Sequence, residues 1–138
     1  MFGTLDTTTS ALVAQRTRTE VIAANMANAN AIQDANGENN PFRRRLAIFT
    51  PGDPATGSPM GVHVSEIALD PSEFQYKYMP DHPLAAKQGP RAGYVAFPNI
   101  SSMMEQVDMM EAARAYEANI MVAEATKSMI NTSLRLIA

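Results

Sequence analysis

Helix breakers are confined to the middle of this chain. All nine prolines fall between Pro41 and Pro98, and six of the seven glycines fall between Gly37 and Gly93. Proline lacks a backbone donor and clashes with the preceding turn, and glycine loses the most backbone entropy when ordered. The two ends can therefore be long helices and the middle cannot. This divides the 138 residues into an N-terminal helix over 1–31, a β- and turn-rich middle over 32–99 and a C-terminal helix over 100–138. The expected fold class is mainly α, with the two terminal helices paired as an antiparallel coiled coil beside a short β/turn segment.

The N-terminal helix is expected from about Leu5 to Asn30, roughly 39 Å long. Leu5, Leu12, Thr19 and Met26 recur every seven residues, joined by Ile22 and Ala29, although Thr8 and Gln15 dilute the seam. Arg16 and Glu20 stand one turn apart and can pair. The C-terminal helix is expected over Ser101 to Ile137, roughly 55 Å if straight. One stripe reads Met109, Ala113, Tyr116, Ile120, Ala123, Lys127, Ile130, Leu134 and Ile137, in alternating steps of four and three that keep one face toward a partner helix. Met103, Val107, Met110 and Met121 fall on roughly the opposite side. A helix in a two-helix hairpin needs one apolar face, so either the middle segment folds back over the second face or another subunit covers it.

In the middle, Arg44 to Thr50, Gly61 to Leu69 and Gly93 to Phe97 have β-branched or aromatic residues bounded by Pro and Gly, and read as strands. Pro51-Gly52-Asp53-Pro54, Thr56-Gly57-Ser58-Pro59 and Gln88-Gly89-Pro90 are turn chemistry.

Little in the chain suggests catalysis. Cysteine is absent, which removes disulfides and thiolate metal sites. His63 with Asp81-His82 is the one constellation near a metal or acid–base pattern, but zinc needs three or four ligands at defined spacing, and Pro80-Asp81-His82-Pro83 reads as a rigid turn. No phosphate-cradling loop or nucleophile motif is present. A net charge of −3 does not fit a nucleic-acid binder. The one basic run, Arg43-Arg44-Arg45, reads as a solvated or salt-bridging strand at a subunit boundary. No apolar run reaches the ~20 residues of a membrane span, and the N-terminus lacks the pattern of a cleaved signal. Asn25, Asn28 and Asn30 either fray a helix end or anchor a close helix contact; their chemistry allows both.

Ala11-Leu12-Val13-Ala14-Gln15-Arg16, continuing through Val21-Ile22-Ala23-Ala24-Asn25-Met26-Ala27-Asn28-Ala29-Asn30, resembles the N-terminal signature of flagellar rod and hook proteins. Met109 to Asn119, with Ala113-Arg114-Ala115-Tyr116-Glu117-Ala118-Asn119, resembles the matching C-terminal signature. Pro41-Phe42-Arg43-Arg44-Arg45, Tyr78 to Pro83, Gly93-Tyr94-Val95 and Pro98-Asn99 are similar to the short proximal-rod branch of that family. The loop Leu84 to Ala92 is longer and less acidic than the family pattern, and Ala31 stands where Thr is common.

The resemblance implies a structural subunit with no catalytic site, metal or cofactor, in the flagellar basal-body rod that crosses the periplasm. It implies type III export without a cleaved signal, followed by polymerisation with copies of itself and other rod proteins. It implies no direct lipid binding. The candidate assembly interface comprises Leu12, Gln15, Arg16, Ile22, Asn25 and Asn28, with Met109, Arg114, Tyr116, Asn119, Ile120, Ala123, Ile130 and Leu134. Another rod or hook-family subunit is the alternative within that class. A cytosolic coiled-coil adaptor is the alternative outside it; that reading explains the heptads but not the paired terminal signatures.

Overall fold

The computed structural model describes residues 2–53 and 57–137. Helix α1 runs Phe2–Ala27, strand β1 Arg45–Asp53, β2 Ser58–Leu69, β3 Gln75–Tyr78, β4 Tyr94–Phe97, and helix α2 Ser102–Ile137. β1 and β2 form one antiparallel pair, β3 and β4 another.

The sequence of α2 favours a helix by itself: it has no Gly or Pro and is rich in Ala, Met and Glu. The Ser101 carbonyl accepts the Glu105 N–H at 3.0 Å, which starts the helix. Glu105 then sits in the first turn, where the helix dipole favours negative charge. α1 is a weaker helix former, since its many Thr hydroxyls bond back to the preceding turn, as Thr7 does to the Gly3 carbonyl at 2.7 Å and Thr19 to the Gln15 carbonyl at 2.9 Å. Packing holds it. α1 lies between α2 on one side and the β1–β2 hairpin on the other, whereas α2 packs on α1 and on no other element among the described residues. Asn25 bonds Glu105 while Arg18 pairs with Glu111, so the two helices run antiparallel.

α1 stops at Ala27 rather than Asn30. The backbone N–H and the side-chain amide of Asn28 both donate to the Ala24 carbonyl, at 3.1 and 2.8 Å, and the chain then turns. The intrachain seam on α2 is also rotated from the expected stripe. Its more buried positions are Glu105, Ala112, Asn119 and Thr126, spaced by seven, each of the last three one residue before Ala113, Ile120 and Lys127, while Met109, Ala123 and Ile130 of the expected stripe are half-buried. Ala113, Lys127 and Leu134 are exposed. Small and polar side chains let the helix axes approach closely, so size decides which residues face α1.

β1 and β2 extend further than their apolar runs, with Arg45 opposite Leu69 and Pro51 opposite Val62. Between Ile48↔Glu66 and Phe49↔Val64 the register shifts, leaving Ser65 as a bulge. Gly61 permits the hairpin to lie on α1. Its φ is 99°, and a Cβ there would come within 2.7 Å of the Ser10 Oγ, which accepts the Val62 N–H at 3.1 Å. β3 is not apparent in the sequence: Gln75-Tyr76-Lys77-Tyr78 alternates polar and aromatic residues, but over only four residues, all of them exposed.

Candidate assembly interface

The most buried large side chain is a carboxylate. Glu105 is 0% exposed, and beside it Asn25 is 1% exposed. Arg44 reaches Glu105 Oε1 through Nε at 2.6 Å, Asp108 through Nη2 at 3.0 Å and Asp70 through Nη1 at 3.5 Å. Asn25 donates to Glu105 Oε2 at 3.1 Å and to the Arg45 carbonyl at 2.8 Å, and its amide oxygen accepts the Arg45 N–H at 2.9 Å. Asn99 closes the other side: its oxygen accepts the Arg44 N–H at 2.9 Å, and its amide donates to the Ser72 Oγ at 2.8 Å. This cluster ties the end of α1, the start of β1, the segment after β2 and the start of α2 into one joint.

Burial lowers the Arg44 pKa, but the hydrogen bond and charge of Glu105, with Asp70 and Asp108, outweigh it and hold the guanidinium above its ordinary value. The Asp70 carboxyl lies below its ordinary value, first through the backbone N–H and side chain of Ser72 and then, against burial, through Arg44. The basic run thus splits by residue. Arg44 enters the joint, Arg43 lies over the Phe74 ring and donates to the Asp70 and Ser72 carbonyls, and Arg45 lies over Phe42.

The candidate interface residues fall into two groups. Ile22 and Asn25 are buried, and Leu12, Gln15, Asn28, Met109, Asn119, Ile120, Ala123 and Ile130 are half-buried. Arg16, Arg114, Tyr116 and Leu134 are exposed, with Arg16 paired to Glu20 at 3.0 Å. Gln15 carries a buried Oε1 with no hydrogen-bond donor among the described residues. The sequence points to Arg44 only within the basic run and to Asn99 only beside Pro98; Asp70, Glu105 and Asp108 carry no local signal beyond an acid in the first turn of α2.

The second apolar face of α2 is open. Met103 is 76% exposed, Val107 49%, Met110 54% and Met121 63%. Among the described residues the middle segment does not fold over it. The two histidines are engaged locally: His63 Nδ1 lies 2.8 Å from the Gly52 carbonyl across the first hairpin, and His82 Nδ1 accepts the Leu84 N–H at 3.2 Å. Among the described residues no three potential metal ligands come together, and no helix is long and apolar enough to cross a membrane.

Residues 5–31 match a family model described as "Flagella basal body rod protein", and residues 91–136 match one described as "Flagellar basal body rod FlgEFG protein C-terminal". Over nearly its whole length the chain is 35% identical to "Flagellar basal-body rod protein FlgC" of Borreliella burgdorferi, covering 99% of this chain and 97% of that protein. The chain belongs to the FlgC family of flagellar basal-body rod proteins. FlgC of Bacillus subtilis is 34% identical over 98% of this chain and 97% of its own, and FlgC of Salmonella typhimurium 36% over 99% and 97%. As a FlgC-family member the chain is a structural component of the flagellar basal-body rod, and not an enzyme. The FlgC matches set aside the cytosolic adaptor and the other rod and hook subunits. The two terminal family matches, over 5–31 and 91–136, take in most of both helices joined by the Asn25–Glu105 contact.

Proposed function

We infer that this rod protein polymerises through its terminal helices into the proximal rod, the drive shaft that transmits torque. The observation that carries this is the open Met103–Val107–Met110–Met121 face on a helix that packs only on α1 among the described elements. An exposed apolar face of this extent is costly in water and is the usual mark of a contact surface. Methionine side chains also adapt to neighbours of slightly different shape. In this reading 1–31 and 100–138 form the polymerising core, with α1 and α2 engaged as a coiled coil, and 32–99 is a module set on it by the Arg44 joint. The exposed Arg16, Arg114, Tyr116 and Leu134 meet neighbouring copies or other rod proteins. The half-buried Leu12, Gln15, Asn28, Met109, Asn119, Ile120, Ala123 and Ile130, with buried Ile22 and Asn25, set the spacing of the pair. The chain travels unfolded through the type III export channel, and a small core favours that route because little stability has to be undone.

Met110→Glu tests the reading. Met110 is exposed in the free chain, so the purified variant should unfold within about 0.5 kcal/mol of the parent. In cells it should be made and exported yet be missing from isolated basal bodies, because a charge would be buried in the contact. Normal incorporation with normal motility would show that this face stays in solvent in the rod.

A further inference from the structure

Two surfaces near the free end of the helix pair are unused and complementary. α2 has 36 residues against 26 in α1. With Asn25 opposite Glu105 and Arg18 opposite Glu111, the start of α1 lies opposite about residue 127 of α2. The last ten or so residues of α2 therefore project past α1 by roughly 15 Å. This projection exposes Met129, Leu134 and Leu136. It carries Lys127 and Arg135 and no acid.

The second surface is a groove of about 850 Å³ between the N-terminal half of α1 and β2. Asp6, Ser10 and Val13 line one wall, and Val62, Val64 and Glu66 the other. Its lining is mixed: apolar Val13, Val62, Val64 and Ile67, several hydroxyls, His63, and the two acids Asp6 and Glu66. Among the described residues neither Asp6 nor Glu66 has a cationic partner, and neither Lys127 nor Arg135 has an acidic one. From Gly3 to Thr17 the groove follows about 21 Å of α1, enough for the projecting helix.

We propose that the projecting end of α2 from one copy seats in the α1–β2 groove of a second copy, with its basic residues against Asp6 and Glu66. The projection and the groove are different surfaces, so the contact is head-to-tail and need not close on two subunits. Repeated without closing into a ring, it generates an open helical array. The inference rests on the rod-assembly reading and adds to it the module's hairpin as a receptor.

The parent has no cysteine, so engineered thiols report cleanly. Full-length chains carrying Val13→Cys together with Leu134→Cys, or Val13→Cys with Ile130→Cys, are treated with a short flexible bis-maleimide. The treatment is applied both to the purified chain at raised concentration and to isolated basal bodies. The expected result is a ladder of covalent oligomers from the double variants and no ladder from the single ones. Arg135→Glu should cut the yield at least tenfold in the purified chain, and adding Glu66→Arg should restore it. A ladder in either preparation supports the contact. Monomer alone in both, cross-links confined within one chain, or adducts only to a different protein would overturn it. Basal-body content of the chain is scored separately by mass; its absence there would contradict rod assembly whatever the ladder shows.

Discussion

Glu105 has no exposed surface and Arg44 is the cation that satisfies it. A buried ion pair is a poor source of net stability compared with apolar packing, yet removing one partner strands the other's charge. Arg44→Ala should therefore destabilise the purified chain by about 3–5 kcal/mol, read by urea unfolding. Arg44→Lys should recover only part, because one ammonium cannot reach Glu105, Asp108 and Asp70 as the forked guanidinium does. A loss below about 1 kcal/mol would mean that Glu105 is satisfied some other way. Asn25 was recognisable in the sequence as part of a signature, but its role was left open between fraying and anchoring. Its partners Arg45 and Glu105 lie 20 and 80 residues away, and no local pattern reports such distances. Asn28, three residues later, does end the helix, so the neighbouring amides divide the two roles between them.

At the level of elements, the distribution of Pro and Gly located both helices and most of the first hairpin, since these residues act on the backbone locally. β3, four exposed residues between Pro71 and Pro80, is too short for that distribution to single out. On α2 Met109, Ile120, Ala123 and Ile130 of the hydropathy stripe are half-buried, but Ala113 and Lys127 are exposed one residue past the buried Ala112 and Thr126, because small and polar side chains fit closest to α1. Two glycines of α1 and β2 give opposite expectations. Gly61→Ala forces a Cβ toward Ser10 Oγ at 2.7 Å on a backbone with φ of 99°, and should cost about 1–3 kcal/mol in denaturant unfolding. Gly3→Ala meets only Met60 atoms at 3.9 Å inside a helix, and should be neutral or stabilising by up to about 1 kcal/mol. Equal effects from the two substitutions would mean that Gly61 is not held against α1.

At the scale of the whole molecule, the buried apolar side chains among the described residues are few and small: Ala14, Val21, Ile22, Val95, Ile100 and Ala112. A chain of this size with so slight a core gains much of its order from what it packs against. The Arg44 joint sets the middle module on the helix pair, and α2 turns a methionine-rich face outward. The family could be read from the terminal signatures, whereas the open face required the packing of α2 to be seen.

The central claim is that this face is covered in the rod. It is tested by hydroxyl-radical footprinting of Met103, Met110 and Met121, each exposed in the free chain. Sulfoxide formation at these residues is read by mass spectrometry in the purified chain and in intact basal bodies, with Met79 on the middle module as the internal reference. Oxidation should be rapid in the free chain and fall at least fivefold relative to Met79 in basal bodies. Equal oxidation in both would contradict the account, because α2 would then face solvent in the assembled rod.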